Sequence, residues 1–98
     1  MTGKQEIISD IEAYVRDRGG GCSSWYCGIA TDPRDRLFND HMVQEHGDAW
    51  IFRTADSHQA AREVEDYFID KGCDGGGGGG DASTKAVYAY KKASHTQP

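Results

Sequence analysis

Long apolar runs are missing from this 98-residue chain. None approaches the roughly 20 consecutive apolar residues that a membrane-spanning helix needs, so no membrane association is expected. Basic charge is scarce too: eleven Lys and Arg face sixteen Asp and Glu, a formal net charge of −5. Between positions 22 and 50 only Arg34 and Arg36 oppose Asp32, Asp35, Asp40, Glu45 and Asp48. Counterion release supplies most of the affinity of a phosphate-gripping protein, which therefore usually carries a basic face. Strong non-specific DNA binding is not expected here. Weak or transient engagement of nucleic acid stays open, as does a basic protein partner. Cysteine is limited to Cys22, Cys27 and Cys73, with no Cys-x-x-Cys pair among them. That spacing argues against a structural zinc site. The odd count, and an N-terminus without the basic-then-apolar pattern of a leader, favour reduced thiols in a cytoplasmic setting.

What is present suits one small domain over residues 1–92, followed by a tail, 93–98, expected to fray. Residues 5–18 set Ile7, Ile8, Ile11 and Val15 at helical spacing, the pattern of a helix with one core-facing stripe. Gly19-Gly20-Gly21 stops it. Residues 22–31 read as a strand, apolar on both faces and so expected at the centre of its sheet. Asp32 caps a second helix with Pro33 at its first position. Leu37, Phe38, Met42 and Val43 give that helix its apolar face, and Gly47 closes it. Residues 50–54 form a second strand. Asp56 and Gln59 form a capping box for a third helix, with Ala60, Ala61, Val64 and Phe68 on its buried stripe. Residues 86–90 form a third strand. The glycine run 75–80 lacks a following Gly-Lys-Ser/Thr and is flanked by Asp74 and Asp81. It reads as a mobile connection without a ligand rather than a phosphate loop. The expected fold class is α+β, a small single sheet of about three strands packed by helices.

The stretch Trp25-Tyr26-Cys27-Gly28-Ile29-Ala30-Thr31-Asp32-Pro33-Arg34-Asp35-Arg36-Leu37 joins a strand ending in Tyr-x-Gly directly to a helix carrying an arginine. It resembles the central motif of the GIY-YIG nuclease family. Tyr26-Cys27-Gly28 stands where the family has its second Tyr-Ile-Gly, Arg36 falls where it has its arginine, and Ala61-Arg62-Glu63-Val64-Glu65 is similar to its alanine-to-glutamate helix segment. The resemblance implies a GIY-YIG-like fold and metal-dependent hydrolysis of phosphodiester bonds in DNA or RNA. It assigns catalytic roles to Tyr26, Arg36, His41 and Glu65, with Glu65 binding Mg²⁺ or Mn²⁺. These residue types suit the chemistry. A carboxylate holds the cation, a tyrosine hydroxyl positions or activates water, and an arginine fork matches charge building on phosphate oxygens.

The family's first Gly-Ile-Tyr strand has no counterpart before Tyr26, where Gly19-Gly20-Gly21-Cys22-Ser23-Ser24 stands instead. Strand count leaves Tyr88 or Tyr90 of the last strand to supply its hydroxyl. The family's histidine, one turn past the arginine, has Asp40 at its position. His41 comes one residue late, rotated by about 100° on a regular helix. The missing tyrosine and the acidic charge keep a second reading alive, a noncatalytic protein- or nucleic-acid-interaction module on the same scaffold. Convergence of Tyr26, Arg36 and Glu65 on one concave surface is the expectation that separates the two.

Overall fold

The structure, a computed structural model, describes residues 3–75 and 82–98. Most of the glycine run, and with it the expected mobile connection, lies outside the described residues. The first helix, α1 (Lys4–Arg18), buries Ile7, Ile8, Ile11 and Val15 and ends at Gly19, whose φ of 84° a residue with a side chain rarely adopts. Cys22–Ser24 is a single 3₁₀ turn, so strand β1 (Trp25–Ala30) starts later than the sequence suggested. Helix α2 (Pro33–Asp35) is only one turn long, capped by the Asp32 side chain on the Asp35 amide, and passes straight into a π-helical turn, Arg36–Asp40. Strand β2 (Trp50–Thr54), helix α3 (His58–Asp70) and strand β3 (Ala86–Lys91) follow.

Three expectations need correction. Ser57, not Asp56, caps α3, accepting from the Ala60 amide at 3.1 Å. Met42 lies outside the apolar face: it is 51% exposed and sits at φ 61°, just past the π turn. The sheet order is β1-β3-β2, antiparallel throughout, so β3 rather than β1 is central. β1 is apolar on both faces because both of its faces are covered. Its outer edge is closed by residue 74, which exchanges two backbone hydrogen bonds of 2.9 Å with Cys27 and Trp25. Two-sided burial therefore reported covering layers, not position within the sheet.

Strand alternation divides the core in two. Trp25, Cys27, Ile29, Ile51, Val87 and Ala89 face α1 and α3 and make the larger cluster with Ala61, Val64 and Phe68. Tyr26, Ala30, Tyr88 and Tyr90 face the other way and pack with Leu37 and Val43 beneath the π turn. Register places Tyr26 opposite Tyr90 and Gly28 opposite Tyr88. Gly28 is needed there: a Cβ built on it would come within 2.6 Å of the Tyr88 hydroxyl. The glycine of the Tyr-x-Gly motif thus leaves room for the tyrosine contributed by the last strand.

Candidate functional site

The second, smaller cluster holds the chemistry. The Tyr26 ring stacks near-parallel on Tyr90 (centroids 5.3 Å, 19°) and Tyr88 (6.3 Å, 20°), and the His41 ring tilts against it at 4.6 Å. The three tyrosines and His41 are all buried. His41 reaches them because of the π turn. Its amide bonds the Arg36 carbonyl five residues back at 2.8 Å, so the one-residue offset seen in the sequence is absorbed by a wider turn. Such single π turns recur at functional sites. Met42, in the left-handed region, then reverses the chain so that Val43 returns its amide to the Leu37 carbonyl at 2.9 Å.

Hydrogen-bond chemistry orders the protons. The Gln97 carbonyl can only accept, and it lies 2.6 Å from His41 Nδ1, so Nδ1 carries a proton. Burial lowers the His41 pKa, against the pull of that carbonyl, and the nearby Arg36 charge lowers it further. The ring is then neutral near pH 7, and its Nε2 lone pair accepts from the Tyr88 hydroxyl at 2.6 Å. The Arg36 guanidinium lies beside the Tyr88 hydroxyl, which raises the guanidinium pKa. Burial pushes the Tyr88 and Tyr90 hydroxyls up from their ordinary value. The result is a relay from Arg36 through Tyr88 and His41 to the Gln97 carbonyl. Its outer end is open: the Arg36 side chain is half exposed and lies 3.6 Å from Asp40 in a loose surface pair.

The tail takes part in this relay. Past Lys92, where the sequence suggested fraying, Ala93 and Thr96 close a turn, and the Gln97 amide donates to the His41 carbonyl at 2.8 Å. Gln97 therefore holds His41 by both its N–H and its C=O. His95 pairs with Asp48, and His58 Nδ1 donates to the Thr84 carbonyl at 2.8 Å. Both partners are remote along the chain, so neither pair is visible in local spacing.

Of the four residues singled out in the sequence, Tyr26, Arg36 and His41 are brought together, and Tyr88 joins them. Glu65 stands on α3, on the helix side of the sheet. It is 2% exposed, and its Oε1 is buried with no hydrogen-bond partner. Burial raises its pKa, and Asp66 adds to the rise while Arg62 opposes it. Its field also helps to raise the Cys27 thiol. The described contacts of Glu65 thus run toward Cys27 and its own helix rather than to Arg36 or His41. Among the described residues no group of three or more His, Cys, Asp or Glu side chains converges as metal ligands would. A hard divalent cation that completed its shell with water and phosphate would need an open carboxylate, which the buried Glu65 is not, so the expected convergence of Tyr26, Arg36 and Glu65 on one concave surface does not occur. Comparison with protein-family models, curated proteins and solved structures returns no match.

Proposed function

We propose that this domain hydrolyses phosphodiester bonds in nucleic acid. The Arg36–Tyr88–His41 relay supports this reading: a solvent-facing guanidinium backed by a hydroxyl, itself backed by a neutral imidazole. Arg36 meets a phosphate bidentately and counters the charge that grows on its oxygens. Tyr88 passes a proton inward to His41 Nε2 as its oxygen takes one from the attacking water, so His41 is the general base acting through the phenol. Tyr26 walls the site and holds the His41 ring by a tilted ring contact. Glu65, buried on the other side of the sheet, does not fit the role of holding Mg²⁺ or Mn²⁺ against a phosphate at Arg36.

Two observations favour a second reading, the noncatalytic interaction module. Glu65 does not converge with Tyr26 and Arg36 but is buried on the helix side of the sheet. Tyr88 and Tyr90 are 1% and 0% exposed, so their hydroxyls lie behind Arg36 rather than on the surface, as a purely structural network would have them. Cleavage assays decide. The wild-type chain is expected to nick or shorten DNA or RNA with Mg²⁺ or Mn²⁺. Tyr88→Phe, which keeps the ring and loses the hydroxyl, is expected to slow cleavage by roughly 10²-fold or more, and Arg36→Lys by a similar factor, because the fork is lost. Absence of cleavage on single- and double-stranded substrates with either cation would sink the hydrolytic reading and leave the binding module.

A further inference from the structure

We infer that the groove between the start of α2 and strand β2 is a subsite for one unpaired nucleotide, its base stacked on Phe52. The groove encloses about 530 Å³ and is walled by Phe52, Thr54, Arg34 and Lys85, with the Thr31 hydroxyl at its rim. Phe52 is half-buried and lies on the site face of the sheet directly opposite Tyr88, so the subsite adjoins the relay one strand over. Its ring continues an aromatic row. It is near-parallel to Trp50 (6.2 Å, 9°), Trp50 is edge-on to Phe38 at 5.0 Å, and the Arg34 guanidinium lies 5.1 Å from the Phe38 centroid and 5.7 Å from that of Trp50. The groove is therefore lined by an aromatic ring with cationic side chains beside it.

That combination matches a nucleotide: a base to stack, a phosphate to neutralise and sugar hydroxyls to meet Thr54, the Thr31 hydroxyl being bonded already to that of Thr84 at 3.1 Å. Asp32 is the acid lining the groove, and its carboxylate is engaged by the Asp35 amide at 3.1 Å. Arg34 is paired with Glu45 at 2.7 Å, but both side chains are about half exposed, and such pairs are weak enough for a phosphate to displace. Lys85 enters no ion pair among the described residues. An unpaired base is required because in a duplex both faces of each base are already stacked. The inference takes from the hydrolytic reading only that the ligand is nucleic acid.

Intrinsic fluorescence tests it on the full chain in the presence of a chelator, so that nothing is cleaved. Trp25 is fully buried whereas Trp50 is not, so a ligand in the groove is read at Trp50. Titration with short oligo(dT) and oligo(rU) is expected to change the emission saturably, and the two probes report whether DNA or RNA is preferred. A duplex of equal length is expected to bind more weakly. Phe52→Leu, which keeps apolar bulk and loses the π-face, is expected to weaken single-strand binding by roughly tenfold, and Lys85→Gln to lower the salt slope by about one. Equal binding of duplex and single strand, or a Phe52→Leu protein that melts normally and binds unchanged, would overturn it. Cleavage of nucleic acid by a protein whose Phe52→Leu variant binds normally removes this subsite and leaves hydrolysis standing. Phe52-dependent binding without cleavage does the reverse.

Discussion

Glu65 is where folding and chemistry pull apart. A carboxylate buried with an unpartnered oxygen destabilises the folded state when ionised, because it has left water without gaining a donor. Its raised pKa fixes the sign. The folded state holds the proton more tightly than the unfolded one, so the stability this group allows is full below its ordinary value near 4.5 and is lost as pH rises through the folded value. Glu65→Gln is therefore expected to raise the melting temperature at pH 7, by an amount worth about 1 kcal/mol, with the gain vanishing near pH 4. A pair of thermal melts at the two pH values checks this. His41 has the opposite sense. Burial depresses its pKa from 6.5, so its contribution is present above that value and is lost as pH falls through it toward the folded value. Nitrogen NMR is expected to show the proton on Nδ1 and Tyr88 bonded to Nε2. A ring protonated on Nε2 at pH 7 would contradict the relay.

The elements show what the sequence made legible. The stripes of α1 and α3 and the strand at 50–54 could be read because hydrophobic periodicity is a local property. The Tyr-x-Gly-to-arginine junction was legible as a motif, and three of the four residues it pointed to gather where the chain turns from β1 into α2. The π turn was not legible. A regular helix and a π turn differ by one residue of register, and the choice is made by docking His41 between Tyr26 and Tyr88, contacts far apart in sequence. Tyr88 could be suspected only from strand count, since nothing local marks Val87-Tyr88-Ala89-Tyr90 as belonging beside Tyr26. Just past the π turn stands Met42, a branchless but bulky side chain held exposed in the left-handed region. Met42→Gly relieves that strain at the cost of chain entropy, for a net gain of about 0.5 kcal/mol. A lower denaturant midpoint for this variant would show that the Met42 side chain contributes packing.

At the scale of the whole molecule, acidic net charge and a cationic guanidinium at the site mouth coexist because the basic residues are placed rather than numerous. The same economy marks the sheet: among the described strands, β1 and β2 each pair with β3, the last of them in chain order. A chain cut after α3 is expected to retain helical circular dichroism without a cooperative melt, and a sharp transition in such a fragment would show that the helices form a core of their own. During synthesis this arrangement imposes an order of events. Until β3 is made and free to pair, β1 and β2 have no strand to join, their edges open and their apolar faces only partly covered by helices. Sheet formation must then close long loops at once, which is slow, and leaves the nascent chain exposed to aggregation until the final strand arrives.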